Sequence, residues 1–179
     1  TRGFVIADVH GDSEFDCVRH DFPDVHFNIL AADGHVGEVE RSIRTIKERT
    51  RALLHGLPFR RVPKLFLQRA VVDVNRLLNI IPAADGVSST LSPGTLITGQ
   101  PRPDFTKFRL EFGTYVQVFD DFTPTNTPRA RTMGAIALDP SGNSQGAYNF
   151  LSLATGALIS RHRWTELPIS DHAISRVEA

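Results

Sequence analysis

Cysteine is almost absent from this chain: Cys17 is the single thiol in 179 residues. One thiol excludes an internal disulfide framework and any multi-cysteine zinc centre, and it fits a reducing compartment. CxxC and ExxH pairings are missing too, so dedicated zinc is not expected. No apolar run approaches the roughly 20 residues that span a bilayer. Nothing at the N-terminus has the basic-then-apolar order of a signal peptide, so no membrane partner is expected. Net charge is also lacking, with 20 bases against 20 acids, which excludes a uniformly basic nucleic-acid binder. The chain opens on Thr1 instead of Met, which reads as a fragment or a processed product.

What is present is ordinary in amount and uneven in placement. Hydrophobic residues at 41% and charged residues at 22% suit a globular protein with a substantial core. The charge is segregated along the chain. Residues 1–40 hold two bases against nine acids, a balance of −7, and residues 41–76 hold ten bases against two acids, a balance of +8. An acidic stretch followed by a basic one is what a metal site beside a phosphate-binding surface would require.

The pattern of elements is mixed. GFVIADVH at 3–10 reads as a strand, Glu14 to His20 as a short helix ended by Pro23, and VHFNIL at 25–30 as a second strand. A small-residue loop with Asp33 as N-cap then feeds a long helix. Val36, Val39, Ile43, Ile46, Thr50 and Leu53 form its expected buried face, and Gly56 and Pro58 stop it. A second helix is predicted from about Val62 to Ile81, with an apolar stripe of Leu67, Val71, Val74, Leu78 and Ile81. Residues 83–104 read as a linker with at most one short helix. Beyond it, Phe112–Val118, Met133–Leu138, Ala147–Leu153 and Ala157–Trp164 read as short strands, the grammar of a small all-β barrel.

The long helix carries the clearest candidate chemistry. Glu40, Arg44, Lys47 and Arg51 recur every three or four residues and so share one face. A carboxylate heading a basic stripe suits a group that holds a divalent cation while its neighbours grip phosphates; a solvated face with an ordinary Glu-to-Arg pair has the same pattern. Arg60, Arg61 and Lys64 extend the basic surface through the connector. Asp12 is either a second carboxylate of such a site or a turn aspartate capping the next segment. Asp8 shares its strand face with His10 and reads as an exposed strand residue, and Trp164 reads as core.

Four segments, in order, resemble the integrase region of copia-type retrotransposon polyproteins. They are HGDSEF at 10–15, GHVGEVERSIRTIKE at 34–48, TLSPGTLITGQP at 90–101, and GAIALDPSGNSQGAYNFLSLATGALISRHRW at 134–164. The resemblance implies an α+β chain: a truncated ribonuclease-H-like α/β core at 1–82, a linker at 83–104, an SH3-like β-barrel at 105–170 and a tail at 171–179. It implies insertion of element DNA into target DNA by phosphoryl transfer on two Mg²⁺ (or Mn²⁺) ions held by three carboxylates. Glu40 matches the catalytic glutamate. For the second aspartate, strict spacing from Glu14-Phe15 points to His10, and Asp12 lies two residues later. The first aspartate and its strand would precede Thr1, as would the zinc-binding segment. Double-stranded DNA through Arg44, Lys47, Arg51, Arg60, Arg61 and Lys64, a homo-oligomer and the upstream polyprotein are the implied partners, in a cytoplasmic particle and the nucleus. The alternative is a catalytically degenerate nucleic-acid-binding or assembly module on the same fold.

Overall fold

A parallel pair of strands opens the chain in the computed structural model, which describes all residues except 1, 2, 4, 31–36, 85, 100–107, 121–127, 129 and 144. Strand β1 (Asp8–Gly11) pairs in register with β2 (His26–Ile29), setting Asp8 opposite His26 and His10 opposite Asn28. A 3₁₀ helix (Ser13–Asp21) connects them, and Phe22 stacks against the buried Phe27 at 6.4 Å between ring centres. The expected Asp33 cap and Val36 lie outside the described residues.

Helix α1 (Gly37–His55) and helix α2 (Lys64–Ile80) pack on each other as a hairpin. Only the second half of α1 follows the expected burial. Thr50 is buried and Leu53 and Leu54 pack into the core, whereas Val39 and Ile43 are exposed. The buried face of α2 is also rotated from the expected stripe: Phe66, Ala70, Asp73 and Val74 are buried, and Leu67 and Val71 are exposed. A short helix α3 (Pro93–Thr98) packs on α2. Ser92 Oγ accepts from the Thr95 N–H at 3.2 Å at its start, and Gly99, at φ 74°, ends it.

The rest is a five-stranded antiparallel sheet followed by helix α4 (Asp171–Glu178). Its strands are β3 (Tyr115–Phe119), β4 (Thr132–Pro140), β5 (Tyr148–Ser152), β6 (Leu158–Arg161) and β7 (Trp164–Glu166), in the order β6-β5-β4-β3-β7. The single strand expected over Ala157–Trp164 is two strands at opposite edges, separated only by His162 and Arg163. In a flat sheet those edges would stand about 19 Å apart. Three Cα steps reach about 11 Å, so the sheet must curl until its edges meet. Contacts across the seam agree: Arg161 Nε donates to the Phe119 carbonyl at 3.1 Å and the Phe119 N–H donates to the Arg163 carbonyl at 3.1 Å.

Curling gives the sheet an inside and an outside. Val116, Val118, Ala135, Ala137, Tyr148 and Phe150 fill the inside, with Trp164 stacked at 5.3 Å from Tyr148 and 5.7 Å from Phe150. Ile136, Leu138 and Leu151 face outward into a second cluster with Phe59, Phe66 and Ala70 of the helical hairpin, Phe112, and Val177 of α4. Phe66 meets Phe59 and Phe112 edge-on at 5.6 and 4.8 Å. This cluster draws on residues from both sides of 83–104, so hairpin, sheet and α4 share one core.

A β-bulge fixes the polar link between hairpin and sheet. Ala137 pairs with Phe150 and Asp139 with Asn149, leaving Leu138 as the extra residue. Strict alternation from Ala135 and Ala137 would turn Asp139 into the apolar interior. The bulge instead sets it beside Asn149 and toward α2. There Arg69 grips its carboxylate with both Nε (2.6 Å to Oδ1) and Nη2, and Arg76 Nη2 stands at 3.5 Å. Asn149 Nδ2 donates to Oδ2 at 3.3 Å, and Ser160 Oγ donates to Asn149 Oδ1 at 2.6 Å, carrying the network to β6. Asp139 is wholly buried.

Removing one partner of such a pair leaves a charge without compensation. Asp139→Ala is expected to lower stability by about 3–5 kcal/mol in urea unfolding, and pairing it with Arg69→Met to recover part of that loss. Gly113 has φ +91°, and a Cβ there would overlap the Leu57 side chain. Gly113→Ala therefore combines left-handed strain with a clash against Leu57 just beyond α1, and the same measurement should register a loss of about 2–4 kcal/mol.

Candidate nucleic-acid interface

Helical spacing sets the stripe on α1, and the structure keeps it in solvent. Glu40, Arg44, Lys47 and Arg51, with Ile43 and Glu48, line one surface groove of about 550 Å³. Four of the sequence-predicted residues are therefore brought together. Glu48 interrupts the positive face. Arg44 Nε donates to Glu48 Oε1 at 2.9 Å, and this hydrogen bond, reinforced by the carboxylate charge, raises the Arg44 pKa above its usual value. Glu48 sits one turn beyond Arg44, and that spacing was the available signal for the pair.

Arg60, Arg61 and Lys64 lie where α1 passes to α2, all three exposed. The Arg60 N–H donates to Glu178 Oε1 at 2.6 Å, which ties the connector to α4 and leaves the guanidinium out of that bond. The basic residues thus lie along the outer face of α1 and the hairpin's turn. No helix among the described residues is long and apolar enough to cross a membrane.

Asp12 lies elsewhere. It precedes the 3₁₀ helix, and its Oδ1 accepts the Glu14 N–H at 3.0 Å, so it caps that helix. The unit formed by β1, the 3₁₀ helix and β2 packs chiefly on itself. Among the described residues, no group of three or more His, Cys, Asp or Glu side chains is placed to hold a metal ion. Asp8, His10, His26 and Asn28 share the exposed face of the parallel pair, and Asp8 Oδ1 lies 3.0 Å from His26 Nδ1. Sequence reading placed Asp8 and His10 on one face and missed His26, whose position depends on the parallel register.

The ionic cluster at the hairpin–sheet junction was also missed. Arg69, Asp73 and Arg76 fall on one face of α2 at spacings of four and three, and Asp139 lies near the end of β4. Asp73 is 8% exposed. Burial pushes its carboxyl up to about 6, with Asp139 adding to the rise and Arg76 and Arg69 opposing it. Burial also raises the Tyr148 hydroxyl, against the pull of the Leu110 and Arg109 backbone. The Leu110 N–H donates to Tyr148 Oη at 3.3 Å.

No protein-family model matches the chain, and no curated protein matches it either.

A carboxyl whose pKa is higher folded than unfolded favours the folded state when protonated. That advantage is complete below pH 4 and disappears as pH rises through about 6. Asp73→Asn is thus expected to raise the melting temperature at pH 7.5, by on the order of 1–3 kcal/mol of stability, and to change it little at pH 3.5. Thermal scans of both proteins at the two pH values check this.

Proposed function

We propose that this chain is part of a DNA-integrating polynucleotidyl transferase of the copia-type retrotransposon kind, and that it grips double-stranded DNA through the basic face of its helical hairpin. The observation that carries the reading is the exposed groove of Glu40, Arg44, Lys47 and Arg51, continued by Arg60, Arg61 and Lys64. Cations on a solvent-facing helix reach phosphates without loss of core packing. Element order supports the same reading. A strand, a helical crossover, a parallel strand and a helix with a glutamate in its first turn suit the second half of a ribonuclease-H-like core. The curled antiparallel sheet suits an SH3-like barrel.

In the complete protein Glu40, and Asp12 if its strand end is rearranged, would contribute carboxylates for Mg²⁺ or Mn²⁺, which stabilises the attacking and leaving oxygens. Parallel sheets are normally covered on both faces and extended at their edges. The two-stranded pair, with Val5, Ile6, Phe15 and Phe22 exposed around it, therefore suits docking of further strands or of another copy. A second reading, a nucleic-acid-binding module without catalysis, is favoured by one observation: the Asp12 carboxylate is engaged as a helix cap.

The test is binding of duplex DNA across a salt series, beside a variant with Lys47, Arg51, Arg60, Arg61 and Lys64 changed to Gln. The expected result is affinity that falls steeply with salt, with the slope of log K against log salt reduced by about 4 in the variant. Salt-insensitive binding, or equal binding by the variant, would overturn the proposal.

A further inference from the structure

A second concave feature lies away from the basic face, where hairpin and sheet meet. It is a cleft of about 690 Å³ between the end of α1, the middle of α2, and the segment from Phe108 to Phe112. Its volume falls in the range that holds small organic ligands. The α1 side contributes only uncharged residues, among them Leu53 and Leu57, and α2 adds Leu77. Asp73 and Tyr148 line the cleft, and Arg109 and Glu111 stand exposed along it.

Asp73 is the chemically distinctive group. As a residue it is 8% exposed, its carboxylate is on the lining of the cleft, and among the described residues no donor hydrogen-bonds to it and no cation stands within ion-pair distance. The two arginines on its own helix face are committed elsewhere, since Arg69 and Arg76 both reach for Asp139. A largely buried carboxylate that meets solvent only in a cleft and has no direct donor gains from a ligand that brings one.

We propose that this cleft binds a small organic cation, an amidinium or a protonated amine on an aromatic or aliphatic body, with its charged head on Asp73 and its body against Leu53, Leu77 and Phe112. A carboxylate-to-cation bond formed out of water is stronger than its surface counterpart, and the apolar walls bury the ligand's body. Anions are disfavoured, because the buried charge that lines the cleft is negative. Binding requires Asp73 ionised, so it strengthens as pH rises through about 6. The other charged groups around it are Arg69 and Arg76 on α2, Asp139 on β4, and Arg109 and Glu111 on the neighbouring segment, with the Tyr148 hydroxyl on β5.

Benzamidine is the probe, titrated into the ¹⁵N-labelled 179-residue chain, with its neutral isostere benzamide in parallel. At pH 7.5 saturable shifts are expected at the amides of Leu53, Leu77, Leu110 and Phe112, with a Kd of roughly millimolar order. Affinity should fall about tenfold at pH 5, where only about a tenth of Asp73 is ionised. Asp73→Asn should abolish the shifts, and Leu77→Lys, at an exposed position on the cleft, should weaken them by repelling the probe. Absence of saturable shifts, equal shifts with benzamide, or unchanged binding by either variant would overturn the proposal. DNA binding plays no part in this readout.

Discussion

The two-pronged grip of Arg69 on Asp139 is the interaction on which the arrangement of this protein turns. It joins the middle of α2 to the far end of β4 at a wholly buried carboxylate. A lone charge there would cost several kcal/mol, so the fold has to supply its partners. It does so by three separate devices: the bulge at Leu138, the Asn149–Ser160 bridge, and two arginines on one face of α2. The apolar cluster around Phe66 and Ile136 supplies attraction without direction, and the ion pair fixes which face of α2 meets the sheet.

That choice of face governs everything outside it. With Arg69 and Asp73 turned inward, Leu67 and Val71 turn outward, and α1 is carried so that Glu40, Arg44, Lys47 and Arg51 stay in solvent. Charge segregation along the chain thereby becomes segregation in space. Two bases of the positive stretch, Arg69 and Arg76, are used inside as structure, and six of the exposed ones form the proposed phosphate-binding face. The same constraint leaves Asp73 buried beside a cleft, and that burial raises its affinity for a proton, with Arg76 and Arg69 opposing the rise.

Much of the secondary structure was legible because it follows rules that act over a few residues. Both long helices and most strands lie where periodicity and turn residues put them, and one short helix falls within 83–104, where at most one was expected. The buried face of α2 was not legible, because the rule that apolar residues turn inward fails when a helix buries an arginine against a carboxylate 70 residues away. The split of Ala157–Trp164 into two strands was hidden for a related reason. It depends on closure of the sheet, a property of five strands together. Among site residues, the stripe on α1 was readable because helical spacing alone defines it. Asp12 was readable as one of two alternatives, and its hydrogen bond to Glu14 is the capping one. His26 opposite Asp8 required the parallel register, which no local pattern encodes.

If the ion pair and its surrounding cluster make hairpin and sheet a single cooperative unit, their innermost amides must open together. Native-state hydrogen exchange in low urea tests this on the unmodified chain. One shared opening free energy and one shared urea dependence are expected for the amides of Ala70 and Val74 in α2 and of Ile136 and Leu151 in the sheet. Exchange of the α2 amides through a separate opening, several kcal/mol below that of the sheet, would contradict it.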